Sequence, residues 1–544
     1  MSAYPLALAL VVTAPLLAPG HLLLRDAVST PRSYLSDAAL GLSEAAPRAL
    51  PQDFAVALAS HVVDGGVVVK ALLVAGLWLA GWGAARLGAT LVPEAGVAGQ
   101  FVAATIAVWN PYVAERLLQG HWSLLVGYGC LPWVATAMLR LRASVTIWPA
   151  LCALVFWTAL AGLTPTGLML AAAVSLTCVF APGGGRPRWL CASVGLGTAV
   201  LAALPWLVAA AASGTLSSSQ ATGVTAFAAR AEPGLGTLGS LASLGGIWNA
   251  EAVPSSRTTL FAVVSAVVLL SVVAAGLPVA LRRPAAVPLL ILAAVAVVVP
   301  AAMSTGPVLA FMEATVRALP GLGVLRDAQK WVALAVPGYA VAGAAAVVTL
   351  RRWMPGAATA LVCCAALLAT LPDLAWGVGG KVAAVHYPPG WAAAAAVINA
   401  DPRPVAVLPA DSMRRFAWAG PAPVLDPLPR WVRADVLTTG DLTISGQTVP
   451  GEGGRAREVQ QLLLTGADRE ALARAGVGWV VVESGGGTAP LALPVAYRDG
   501  DLTVYRVGGD HPEASHRALL IAAHLVWLAM LVLGAAGTMP RPRR

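Results

Sequence analysis

The sequence predicts a polytopic α-helical membrane protein of about twelve spans with a small external α/β domain. Three observations carry that expectation: an apolar composition, apolar runs of bilayer length, and one long segment whose texture changes to short strands and amphipathic helices.

Composition comes first. Of 544 residues, 58% are hydrophobic and only 11% charged, and the mean hydropathy is +0.76. So much apolar side chain calls for burial in lipid. The net charge of +9 is carried almost wholly by Arg. In such a chain it is explained by anchoring charges on the cytoplasmic side, and no basic stripe interleaved with aromatics points to nucleic acid. Cys130, Cys152, Cys178, Cys191, Cys363 and Cys364 all lie in apolar runs without zinc or redox spacing, so they read as small packing residues. The N-terminus "MSAYPLALALVVTAPLLAPGHLLL" lacks a basic n-region and reads as a retained first span.

Runs of about twenty apolar residues are long enough to cross the hydrocarbon core as helices. They fall near 4–24, 66–85, 98–114, 122–140, 147–163, 165–181, 190–212, 259–281, 285–303, 331–350, 356–378 and 516–537. Arg86, Arg140 with Arg142, Arg186 with Arg188, Arg282 with Arg283, Arg351 with Arg352, and the tail "RPRR" mark alternate ends of these runs. By the positive-inside rule those ends are cytoplasmic, both termini are inside, and the segments 25–65, 213–258, 304–330 and 379–515 face outward. The expected organisation is a membrane module over 1–378, an external α/β domain over 379–515, and a last span with its basic tail over 516–544.

The 379–515 segment supplies the third observation. "PVAVLPA" and "GVGWVVVES" read as strands, "LALPVAYRDGDLTVYRV" as a hairpin about Asp-Gly, and helical patterns sit near 390–400 and 454–475. No nucleophile elbow, phosphate loop or metal-spaced His cluster is present there, which favours a carbohydrate-binding or packing role.

Three polar groups interrupt the apolar chain on the outer side. The first loop carries Asp26, Asp37, Glu44, Asp53 and Asp64. The stretch "NPYVAERLLQGHW" at 110–122 carries Glu115, Arg116 and His121, and its Asn-Pro pair ends or kinks a helix. The later loops carry Arg230, Glu251 and Arg257, then Glu313, Arg317, Arg326, Asp327 and Lys330. Basic residues on the outer side fit a lipid phosphate, which Arg contacts bidentately and Lys as a point charge. A carboxylate that takes a proton from an acceptor hydroxyl, beside cations or a divalent metal that steady a leaving phosphate, is the equipment of a transferase using a lipid-linked sugar.

The stretches "GHLLLRDAVSTPRSYLSDAALGL", "VWNPYVAERLLQGHWSLLVGYGCLPW", "PGLGVLRDAQKW" and "DLTISGQTVPGEGGRA" resemble the GT-C superfamily of polytopic glycosyltransferases. The chain is most similar there to actinobacterial GT-C-like or YfhO-like membrane proteins. The resemblance implies a GT-C-like fold, transfer of a sugar from a polyprenyl-phosphate donor to an envelope glycan or glycolipid, and a catalytic acid in the first external loop. It makes Asp26 the catalytic base. The site would be lined by Asp37, Glu115, Arg116 and His121, and the donor phosphate bound by Arg257, Arg326 and Lys330. The family's acidic pair is missing, since Arg25 precedes Asp26 and Ala27 follows it, so a Mg or Mn requirement stays open. An envelope-lipid transporter or flippase, and a catalytically silent envelope-assembly protein, are the alternatives.

Overall fold

A computed structural model describes residues 1–43, 49–143, 147–183, 185–213, 223–318, 323, 325–444, 447–451, 453–483, 491–510 and 516–538. Glu44, four residues of the "PGLGVLRDAQKW" stretch and the basic tail lie outside them.

Each of the twelve apolar runs contains a helix, but length divides them. Among the described residues six helices are long and apolar enough to cross a bilayer: Gly65–Leu91, Trp122–Ala143, Arg188–Ala212, Phe261–Ala280, Ala328–Leu350 and Arg517–Thr538. Two bent pairs raise the number to eight if each is one span, Val287–Met303 with Gly306–Ala318 at 89° and Gly356–Ala369 with Pro372–Gly379 at 74°. Ala3–Leu17, Trp148–Ala161 and Pro165–Cys178 are shorter than the runs that predict them. Two helices form the inside of the bundle: 83% of the apolar window in Trp122–Ala143 and 89% in Ala328–Leu350 is buried, against 33–44% for the other four. Glycines permit this packing, since a Cβ at Gly129 would collide with the backbone of Gly76 on the neighbouring helix.

The first apolar run does not reach residue 24 as a helix. It ends at Leu17, and the following residues form strand β1 (His21–Leu24), which turns back as β2 (Ala27–Val28). β1 also pairs with β3 (Ala384–Val385). The correction has a plain cause: Leu22 to Leu24 are apolar because they are buried in protein, and hydrophobicity alone does not separate a protein core from lipid.

Beyond residue 384 the chain builds an α/β unit. Its strands are β4 (Val405–Leu408), β5 (Met413–Arg414), β6 (Val424–Leu425), β7 (Val436–Leu437), β8 (Leu442–Ile444), β9 (Gln447–Val449), β10 (Trp479–Glu483), β11 (Val495–Arg498) and β12 (Leu502–Arg506). The main sheet runs β11-β12-β10-β4-β7, with β7, β4 and β10 parallel and the β11–β12 hairpin antiparallel. Alternate residues of β4 and β10 face opposite ways, as strand geometry requires. Val405, Val407 and Val481 pack with Trp391 of the Pro389–Ala400 helix on one side. Ala406, Leu408 and Val480 pack with Val459 and Leu472 on the other. Leu23 and Val28 of the first loop belong to the former cluster, so the β1–β2 hairpin is packed into this unit.

Candidate functional site

The stretch at 110–122 is a capped helix with a left-handed stop. The Asn110 side chain accepts from Val113 N at 3.1 Å, Pro111 takes the first helical position, where no donor is lost, and Gly120 ends the helix at φ +84°. The β1–β2 hairpin lies directly on that stop. Asp26 N donates to Gln119 O at 3.2 Å, and a Cβ at Gly120 would run into Ala27 N and Leu24 O. Gly120 is therefore required both by its backbone angle and by the approach of the hairpin.

Arg25 and Asp26 are the two loop residues of the hairpin. Arg25 has φ +47°, in the region that hairpin turns normally fill with Gly or Asn. The surroundings hold it there. Its N donates to Pro423 O at 3.0 Å and its O accepts from Leu425 N at 2.8 Å, while its guanidinium donates to Leu118 O at 2.6 Å and Glu251 O at 3.0 Å.

Asp26 Oδ2 accepts from Gln119 Nε2 at 3.0 Å and pairs with His121 Nε2 at 2.9 Å. The second contact has a fixed sense. Arg116 Nη1 lies 3.1 Å from His121 Nδ1, and a guanidinium only donates, so Nδ1 is the acceptor and Nε2–H points at Asp26. Surrounding protein opposes ionisation of Asp26, but the His121 hydrogen bond and charge, with Gln119, outweigh it and hold the carboxyl below its usual range. Burial, stronger than the pull of Asp26, keeps His121 below its ordinary value as well. At neutral pH the pair is carboxylate and neutral imidazole. The Asp26 side chain remains 39% exposed. Among the described residues its side-chain hydrogen bonds fall on Oδ2, and none falls on Oδ1.

Behind this pair lies a closed layer. Arg116 donates to both carboxylate oxygens of Asp327, at 2.9 and 3.1 Å, and to Gln329 Oε1. Gln329 donates to Glu115 Oε2 at 2.9 Å, and Glu115 accepts from Gly246 N at 3.2 Å and Ile247 N at 3.1 Å. Burial raises the Glu115 carboxyl well above its usual value, whereas burial of Asp327 is outweighed by Arg116 and Lys330, which hold it low. Lys330 Nζ sits 3.7 Å from Asp327 and its side chain is a quarter exposed, so one cation of the layer is partly open to solvent.

The site residues expected from sequence thus separate. Asp26, Arg116, His121 and Lys330 converge, with Glu115 behind them. Asp37 is elsewhere: it pairs with Arg517 at the start of the last helix. Arg257 is buried, bound to Glu232, and to Ser243 Oγ at 2.7 Å, which commits its donors to protein. Arg326 lies over the Phe227 ring at 4.6 Å. Sequence reasoning missed Gln119, Gln329 and Asn249, which donates to Gln119 Oε1 at 2.8 Å. Of these, Gln119 stood inside the stretch already singled out, and a polar residue in an apolar helix was the available signal.

The residues around Asp26 do not suit a divalent cation. Its carboxylate is flanked by Arg25 and Lys330 as well as His121, and among the described residues no group of three or more His, Cys, Asp or Glu converges to hold a metal.

No protein-family model matches the chain, and no curated protein matches it by sequence. Solved structures do resemble it. A cryo-EM structure of the arabinofuranosyltransferase AftD from mycobacteria superposes with a TM-score of 0.55 at 18% identity, over 94% of this chain and 42% of that one. A second cryo-EM class of that protein gives 0.52 at 16%, over 93% and 41%. The likeness shows that this chain shares the fold of that part of the neighbour, and it does not support the YfhO-like assignment. The chain spans about two fifths of the neighbour's length.

Proposed function

We propose that this chain is a membrane glycosyltransferase that moves a sugar from a polyprenyl-phosphate donor to a cell-envelope glycan or glycolipid, with Asp26 as base and Lys330 at the donor phosphate. The carrying observation is the partly exposed Asp26 carboxylate, oriented by Gln119 and His121 beside Lys330. The AftD-like fold supports the reaction class.

In this reading an acceptor hydroxyl oxygen attacks the anomeric carbon, the bond from that carbon to the phosphate oxygen breaks on the opposite side, and the configuration inverts. The hydroxyl proton passes to Asp26 Oδ1, and the charge released on the phosphate is met by Lys330. A low pKa makes Asp26 a weak base in the ground state. Transfer therefore accompanies bond formation, when the attacking oxygen has become acidic. The positive-inside pattern supports a site on the outer face with both termini in the cytoplasm.

The test is sugar transfer by purified protein in nanodiscs, with a panel of polyprenyl-phosphate sugars and an envelope-extract acceptor. Asp26→Asn should lower transfer by roughly 10²–10⁴-fold without unfolding. Full activity in that variant removes Asp26 as base. Saturable lipid binding with no turnover of any donor favours a transporter or assembly role.

A further inference from the structure

We propose that Arg414 of the α/β unit is a positioning residue for Asp26, because it locks the strand from which the Arg25–Asp26 turn is hung. The inference rests on the reading of Asp26 as base. It makes the α/β unit a working part of the site, although Arg414 touches none of the groups that would meet a substrate.

Val424 is the junction. On one edge it bridges to Arg25, through the bonds from Arg25 N to Pro423 O and from Leu425 N to Arg25 O. On the other edge it lies opposite Arg414 in the β5–β6 pair. Adjacent strands are about 4.8 Å apart, so Arg414 stands two strand spacings, about 10 Å, from Arg25. β5 and β6 are only two residues each, too short to hold a register by backbone bonds alone.

The Arg414 side chain supplies what the backbone lacks. It is 2% exposed and contacts Glu483 Oε2 at 2.5 Å and Asp426 Oδ2 at 3.4 Å, and it donates to the Asp411 carbonyl. Glu483 is the last residue of β10, in the middle of the main sheet. Asp426 follows β6 directly, and its other oxygen accepts from Leu428 N at 2.8 Å. One planar fork therefore ties β6 to the sheet. Lys, a single point charge, cannot reach both carboxyl groups in that way. The strained backbone of Arg25 needs such over-determination, since a left-handed non-glycine turn persists only where its surroundings leave no alternative.

The experiment uses the full chain in nanodiscs, reading amide hydrogen exchange and transfer kinetics in Arg414→Met, Arg414→Lys and Asp426→Asn. In Arg414→Met, exchange across residues 21–28 should quicken by about tenfold or more while β4 and β10 keep their protection. For transfer, kcat should fall by roughly 10–100-fold with donor KM within about twofold, and Lys should recover only part of the loss. If β4 and β10 also lose protection, Asp426→Asn, which weakens the lock and leaves Arg414 in place, must show the same local loosening at 21–28. Unchanged exchange at 21–28 in both variants overturns the proposal, as does a kcat unchanged in Arg414→Met where the wild type transfers sugar. A wild type that transfers nothing overturns the enzymatic reading alone, because the exchange measurement still decides whether Arg414 holds the turn.

Discussion

Two buried arginines sit in similar surroundings and serve different ends. Arg116 lies behind the β1–β2 hairpin, bound to Asp327 and Gln329, and its chain of contacts continues through His121 to Asp26, which is 39% exposed. Arg414 lies in the α/β unit between Asp426 and Glu483, and all three are at most 2% exposed. The carboxyls answer in opposite directions. Asp26 is held low by His121 despite desolvation, whereas burial, with the charge of Asp426 added, pushes Glu483 up to about 8. A perturbed carboxyl marks chemistry only where it also has access to a substrate. Without access the same groups form a strut.

The contrast is broken most severely at its buried end. Arg116→Met leaves Asp327 charged and without its bidentate partner, and should cost about 3–5 kcal/mol of stability. Asp26→Asn, at the open end, should cost no more than about 1 kcal/mol. Thermal unfolding of both variants in detergent measures the difference. A midpoint for Arg116→Met equal to that for Asp26→Asn would mean that the layer behind the site is not closed.

Gly120→Ala comes next. It combines a left-handed backbone with the collision against Ala27 N and Leu24 O, so a loss of about 1–3 kcal/mol is expected, with transfer falling alongside it. Loss of stability with full transfer would show that the hairpin can shift without moving Asp26.

Glu483→Gln probes the strut by pH and has a smaller effect at neutrality, since an amide there replaces an acid already largely protonated. The folded pKa of about 8 lies above the ordinary 4.5, so the folded state binds the extra proton between those values. The wild type should lose stability as pH rises from about 4.5 to 8 and level off above that. Denaturant unfolding of the full chain across this range should give a flatter profile for Glu483→Gln. An unchanged slope would mean that Glu483 is ionised throughout.

Sequence made the open end of the contrast more legible than the closed one. Asp26, Arg116 and His121 stood out because charge in an apolar neighbourhood needs a reason. Their arrangement was hidden, because Asp327 is 211 residues from Arg116 along the chain. Neutral polar groups such as Gln329 and Asn249 gave no signal at all. Arg257 was read as a phosphate ligand because its partner Glu232, 25 residues earlier, could not be seen to neutralise it. The helical runs were clear from hydropathy, but Leu22 to Leu24 continued the first run and proved to be a strand in a protein core. The β11–β12 hairpin was legible for a local reason: Asp499 Oδ1 accepts from Asp501 N and Leu502 N, each at 2.8 Å, an interaction written into the Asp-Gly turn itself.

Asp37 supplies the smallest expected effect and a control for the comparison. It shares the first loop with Asp26, yet its partner is Arg517 of the last helix and the two side chains are 27% and 38% exposed. Partly solvated pairs of this kind contribute about 0–1 kcal/mol. Asp37→Asn should therefore leave sugar transfer unchanged and lower stability within that range, as read by the same assays. A loss of transfer comparable with that of Asp26→Asn would make the first loop act as a unit, and loop membership, not access and orientation by His121, would then have to define the site.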